Sequence, residues 1–305
     1  MIPILCKNLT VVFDGVRAVD SLDLEIEEGA IYGLLGPNGA GKTTAIKAMM
    51  NLLPPTSGVA EIYGRSSRSL TGDSFQKIGY VSENQLMPDW MTVGYLMAYL
   101  KPFYPSWDDT RAAELMRQFD LPKNRKLRDL SRGMWMKAAL ASSLAYRPRL
   151  LVLDEPFSGL DALVREELIE GILMSAEDST ILVSSHDLSD IETFSSHVGY
   201  MDKGRILLSE EMTALSQRFR EIEVTLGQVA DLQRDHPWPA HWLRPEVSPA
   251  LVRFVDSQFD QDSTTAEIRH RFQEVRDIAA RPMPLRAIFL ALARSSRKFT
   301  SGALA

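Results

Sequence analysis

The 305-residue sequence contains one cysteine, Cys6, so no internal disulfide can form and the chain suits a reducing compartment. It has no run near the roughly 18 to 20 consecutive apolar residues that a membrane helix requires, so work at a membrane would fall to a partner. Positive charge is not in excess. Thirty-four Lys and Arg stand against 40 Asp and Glu, a formal net charge of −6, where a nucleic-acid binder would carry a basic surplus or stripe. No nucleic-acid partner is therefore expected. Internal repeats and low-complexity segments are absent as well. The start, Met1 to Cys6, is apolar but lacks the basic region and the length of a signal peptide, so it reads as the first strand of a cytoplasmic protein. With 45% hydrophobic and 24% charged residues, the chain can bury the core of one large domain plus a smaller appendage.

Periodicity gives the organisation. Residues 2–13 alternate loosely as a strand, and residues 22–26 alternate cleanly, apolar against acidic. Residues 30–35 form a short buried strand, residues 36–41 are glycine-rich, and a helix is expected over 42–52 until the run Pro54-Pro55-Thr56-Ser57-Gly58 stops it. Residues 88–146 read as a helical subdomain. Within it, Ser106 is expected to cap a helix whose first turn holds Asp108 and Asp109, with Leu115 and Phe119 one turn apart on one face. Leu150–Leu153 and Thr180–Ser184 are continuous short runs of the kind found in buried parallel strands. Strands alternating with helices predict an α/β core. After about residue 215 the composition shifts, which predicts domains at 1–215 and 216–305. The tail carries candidate strands at 221–226 and 252–255 and a Pro- and Trp-containing loop, with Trp238 and Trp242 expected as core or dimer contacts. Its final helix places Leu285, Ile288, Phe289 and Leu292 at helical spacing, with Arg294, Arg297 and Lys298 beyond.

Gly36-Pro37-Asn38-Gly39-Ala40-Gly41-Lys42-Thr43 matches the phosphate-loop pattern in full, between a strand and a helix, and the candidate cradle runs on to Thr44. Glycines let backbone N–H groups turn towards phosphates, and the helix N-terminus adds partial positive charge. Lys42 supplies a cation to the β- and γ-phosphates, and the Thr43 hydroxyl can ligate Mg²⁺. About 110 residues further on, the apolar strand Leu150–Leu153 runs into Asp154 and Glu155. Such a strand delivers its last side chains to the sheet's carboxyl edge, where nucleotides sit. Asp154 suits the Mg²⁺ shell, and Glu155 suits the general base that polarises the attacking water.

With these motifs in order, residues 3–215 resemble the ABC ATPase family. Leu130-Ser131-Arg132-Gly133-Met134 resembles the family signature, Ser158-Gly159-Leu160-Asp161 the loop after the catalytic glutamate, and His186 the switch histidine. Phe13 stands where the family stacks an aromatic on adenine, and residues 78–83 align with the loop that normally carries a glutamine. The resemblance implies a phosphate-loop NTPase core with a helical subdomain and a small α+β C-terminal domain. It implies ATP and Mg²⁺ as cofactors, and Lys42, Glu155 and His186 as catalytic residues. Ser131, Arg132 and Gly133 are implied to contact the nucleotide across a head-to-tail dimer, and Asp161 is implied as a further nucleotide contact. It further implies a separate transmembrane permease subunit and a place at the cytoplasmic face of the membrane.

Two motifs depart from the pattern. Arg132 and Met134 replace the usual Gly and Gln of the signature, and Glu83 stands at the glutamine position as a nucleotide and Mg²⁺ contact, with Gln85 as the alternative. Both departures resemble the exporter-type branch of single-domain ATPases. Residues Leu86–Met91 and the helical region after them are implied to receive the permease. The alternative is a soluble, non-transport ABC ATPase, whose usual marks are coiled-coil insertions, zinc cysteines or a second ATPase domain. None of these marks is present in the sequence.

Overall fold

The structure, a computed structural model, describes residues 1–174, 179–227 and 237–292. The chain divides into two compact units, Met1–Ser209 and Glu210–Ala305.

The first unit opens with β1 (Ile4–Phe13) and β2 (Val16–Ile26), which pair antiparallel. Asp14 and Gly15 join them, both with positive φ, as a two-residue type I′ hairpin turn demands. The expected strand at 22–26 therefore reaches back to Val16. Its alternation is broken by register shifts after Cys6, Leu9 and Val11, which hid the first half of the strand from a period-2 reading. Next come β3 (Ile31–Leu35), α1 (Lys42–Met49), β4 (Ser57–Ile62), β5 (Arg65–Ser66), α2 (Gly72–Phe75) and β6 (Ile78–Ser82). The helix expected over 42–52 ends at Met49. Strands β2-β1-β4-β5 form one antiparallel sheet in that order.

The helical stretch contributes α3 (Val93–Leu100), α4 (Asp109–Gln118) and α5 (Arg132–Leu144). Ser106 does not cap α4. Asp108 does, accepting from the Arg111 N–H at 2.9 Å, while the Ser106 hydroxyl donates to the Tyr146 carbonyl at 2.8 Å. The two candidates are equivalent as local cap formers, and a tertiary partner claims the serine. Leu115 and Phe119 are both buried, as their spacing predicts.

Then follow β7 (Leu150–Asp154), α6 (Ala162–Leu173), β8 (Thr180–Ser185), β9 (His197–Asp202) and β10 (Arg205–Glu211). The second sheet runs β10-β9-β3-β8-β7-β6, and the pairs β9–β3, β3–β8, β8–β7 and β7–β6 are parallel. Every residue of β7 and β8 is buried, as continuous apolar runs in a covered parallel sheet must be. The register places Ser82, Asp154 and Ser184 side by side, with Leu35 opposite Ser185. The carboxyl ends of four strands thus finish level and form one edge.

The second unit holds α7 (Met212–Arg218), β11 (Arg220–Leu226), β12 (Trp242–Ser248), β13 (Leu251–Asp256), α8 (Gln261–Arg271) and β14 (Val275–Pro282), with residues 285–292 helical. Its sheet runs β12-β13-β11-β14, all antiparallel. Trp242 is buried against Phe254 and Phe272, with Trp238 beside it, so both tryptophans belong to this unit's core. In the last helix Ile288 and Phe289 are buried, and Arg294, Arg297 and Lys298 lie outside the described residues.

Candidate active site

The loop between β3 and α1 sits on the common strand edge. The Gly36 N–H donates to the Ser185 carbonyl at 3.3 Å, tying the loop to β8. A Cβ on Gly36 would lie 2.2 Å from the Met201 carbonyl oxygen, and one on Gly41 would lie 2.2 Å from that of Ala18. Gly41 also holds φ at +105°, a conformation other residues rarely adopt. Glycine is therefore required at both positions by the close passage of neighbouring backbone.

Lys42, the first residue of α1, is 5% exposed. Its Nζ donates to the carbonyls of Gly36 at 2.6 Å and Pro37 at 3.3 Å, and it pairs with Glu155 Oε1 at 3.0 Å. Glu155 Oε2 accepts from Nδ1 of His186 at 2.8 Å. One carboxylate is thus clasped by a lysine from the phosphate loop and by the histidine that follows β8. Glu155 has φ +53°, which for a non-glycine residue needs outside support. The support comes from Ser184, whose Oγ accepts the Glu155 N–H at 2.9 Å.

The Ser184 hydroxyl also donates to Asp154 Oδ1 at 2.8 Å, and Thr43 Oγ1 donates to the same oxygen at 3.0 Å. Burial pushes the Asp154 carboxyl above its ordinary range, and the two hydroxyls pull it partly back. A desolvated carboxylate beside a hydroxyl is a set of hard oxygen donors that fits Mg²⁺. Among the described residues no cluster of three or more His, Cys, Asp or Glu could cage a metal alone.

A cleft of about 600 Å³ opens above this floor, lined by Phe13, Ala18, Asn38 to Thr44, Glu83, Glu155, Ser158 and His186. Phe13 is half-exposed at the end of β1. Gly36, Pro37 and Asp154 are not among the lining residues, and Gly36 and Asp154 are buried. Glu83 faces the cleft, whereas Gln85 turns its Oε1 back to accept from the Ser82 N–H at 3.4 Å. Ser131, Arg132, Gly133 and Asp161 do not line this cleft. Ser131 caps α5, accepting from the Met134 N–H at 3.2 Å, and Asp161 caps α6, accepting from the Val164 N–H at 3.0 Å. Ser131 and Arg132 are exposed, and Arg132 pairs with Glu83 of its own chain. Two contributors escaped the sequence reading. Ala18 is unremarkable until β2 carries it to the loop. Ser184 stands in the sequence as the last residue of an apolar strand, and a serine at the end of such a run signals a polar partner.

Comparison with known proteins agrees with this geometry. The ABC transporter family model matches residues 19–158. The ABC transporter ATP-binding protein YtrB of Bacillus subtilis is 31% identical over 228 residues, 74% of this chain and 78% of that protein. The bacitracin transport ATP-binding protein of Enterococcus faecalis is 32% identical over 73% of this chain and 75% of its own length. The daunorubicin/doxorubicin resistance ATP-binding protein of Streptomyces peucetius is 33% identical over 94% of this chain and 91% of its own. Among solved structures, an ATP-binding subunit of an ABC transporter aligns with TM-score 0.65 at 23% identity, over 70% of this chain and 92% of that one. The dimeric, post-hydrolysis cassette MJ0796 bound to ADP and Pi aligns with TM-score 0.61 at 24% identity, over 68% and 98%. The chain belongs to the ABC transporter ATP-binding proteins, subunits that bind and hydrolyse ATP to power transport.

Proposed function

We propose that two copies of this chain bind two ATP molecules head to tail and drive export through a separately encoded permease. The observation that carries the reading is the carboxylate of Glu155, clasped between Lys42 and His186 on the floor of a phosphate-loop cleft. The phosphates rest on the backbone N–H groups of residues 38–44, and Phe13 stacks on the adenine. A polyphosphate offers Lys42 a stronger partner than Glu155. The exchange leaves Oε1 free to take a proton from water, while His186 holds Oε2 and fixes the carboxylate's direction. Thr43 and Asp154, with Glu83 beside them, would hold Mg²⁺, which would neutralise charge on the β- and γ-phosphates.

Ser131 and Arg132 are exposed at the start of α5, with Gly133 buried behind them, and this helix N-terminus would be a ready anion site for the nucleotide seated in the second copy. Binding closes the pair of subunits, and hydrolysis with product release reopens it. Export is favoured because the relatives named for bacitracin transport and for daunorubicin/doxorubicin resistance match most of their length. The permease would dock on an aromatic face: Leu86, Trp90, Tyr95, Tyr99 and Phe103 are exposed, with ring pairs Trp90–Tyr95 and Tyr99–Phe103 in contact. No helix among the described residues is long and apolar enough to cross a membrane, so passage of cargo requires such a partner. The test is recovery of tagged Glu155→Gln chain from detergent-solubilised membranes with ATP. A polytopic membrane protein should accompany it, and recovery of soluble partners alone would reject the transport partnership.

A further inference from the structure

The two places where the sequence departs from the family pattern meet in the structure. Arg132, the first residue of α5, hydrogen-bonds through Nη2 to Oε1 of Glu83, 49 residues earlier, just past the end of β6. Glu83 is fixed at this point by its own backbone, whose N–H donates to the Asp154 carbonyl at 3.0 Å. Its side chain lines the cleft and is 29% exposed, against 51% for Arg132. On the way the guanidinium passes over Gly159, where a Cβ would lie 3.2 Å from Cζ. One side chain therefore joins three segments: the start of α5, the loop after Glu155 and the edge of the parallel sheet.

A carboxylate at the mouth of a polyphosphate site carries the wrong charge. The cleft already holds Glu155, whose charge is balanced by Lys42, and buried Asp154 lies beneath it. Glu83 adds a further negative group among the lining residues. A planar guanidinium is the side chain best shaped to neutralise it while leaving the second carboxylate oxygen free. We propose that Arg132 is a positioning residue for Glu83. It cancels the Glu83 charge, so that the cleft accepts ATP, and holds the free oxygen towards the nucleotide. The two residues act as one unit: Glu83 is tolerated in the cleft because Arg132 neutralises it. This rests on the cleft being the ATP site.

The test is a double-mutant cycle with Glu83→Gln, Arg132→Gln and the double variant. Glutamine keeps the helix-forming stem at position 132. ATP affinity is measured by equilibrium binding without magnesium, which isolates the charge effect from hydrolysis, and kcat and KM are then measured with magnesium across a salt series. Arg132→Gln should weaken ATP binding by roughly three- to thirtyfold, a coupling typical of contacting charges. Rising salt should narrow that deficit. The double variant, in which both charges are gone, should return to within about twofold of the wild-type affinity. Arg132→Lys, which keeps the charge, should stay closer to wild type than Arg132→Gln. A double variant as weak as Arg132→Gln would show that Arg132 acts without Glu83 and would overturn the proposal, as would unchanged affinity in Arg132→Gln. Should Arg132→Gln fail to fold, Arg132→Lys and Glu83→Gln still test the pair through the salt dependence of KM, and identical salt slopes in these two and wild type would overturn it. Wild-type chain that does not bind ATP would instead remove the reading of the cleft.

Discussion

At the sheet edge, Lys42 and Asp154 are buried and each makes several hydrogen bonds or ion pairs inside one chain, whereas at the start of α5 Ser131 and Arg132 stand open to solvent. The first group must handle a proton and a metal, tasks that need fixed distances and a dry setting. Under the proposed function the second meets an anion brought by another molecule, while Arg132 also pairs with Glu83 of its own chain. The contrast matches a site whose catalytic half is finished within one subunit and whose closing half is offered outward. The floor can then be assembled by folding alone, and turnover can be made to wait for the dimer.

Breaking the buried half should have the largest effect. Glu155→Gln keeps the shape but removes the base, and kcat should fall by about 10² to 10⁴ with ATP binding retained, measured as phosphate release against equilibrium binding. A variant that still turns over at the wild-type rate would move the base elsewhere. Beneath it, Leu153 is fully buried in β7. Leu153→Ala should cost about 2 to 5 kcal/mol in urea unfolding, because the packed sheet has little room to collapse. A smaller effect is expected at the open half. Ser131→Ala removes the α5 cap and should cost about 0.5 to 2 kcal/mol. It should leave ATP binding to the single chain intact while lowering turnover, and equal losses in both would erase the distinction between the halves.

The finest expected effect lies away from the site. The Arg111 N–H and then the Arg147 guanidinium hold the Asp108 carboxyl below the ordinary carboxylate range. A lowered folded-state value means that the charged cap stabilises the fold above the ordinary carboxylate range, and that the benefit fades as pH falls through the lowered value. The stability gap between wild type and Asp108→Ala should therefore be full at neutral pH and shrink in strong acid, as read by denaturant midpoints. A gap that widens on acidification would contradict the assignment of the cap.

The phosphate loop was legible because its backbone path demands particular residues. Gly36 and Gly41 each pass a carbonyl too closely for any side chain. Leu150 to Glu155 was legible because a strand buried on both faces has to be apolar until it reaches the edge. What escaped depends on contacts distant in sequence. Ser106 and Asp108 are equivalent by local chemistry, and only the Tyr146 carbonyl decides between them. The pairing of Arg132 with Glu83 joins two segments that no periodicity connects. In the second unit α7, β12, α8 and β14 are absent from the sequence expectation; β12 (Trp242–Ser248) replaces part of the expected Pro- and Trp-containing loop, and it offers one buried residue and β14 none to mark a face.

The central claim is a nucleotide site shared between two chains, and mixing defective subunits tests it most directly. Lys42→Ala chain lacks the phosphate-loop half, and Ser131→Arg chain lacks the α5 half. Each alone should be nearly inactive. Mixed in the presence of ATP, they should recover phosphate release, because one pairing restores an intact Lys42 opposite an intact Ser131. If heterodimers form, as shown by co-purification through two tags, and the mixture stays as inactive as its parts, the site is not shared and the account is wrong.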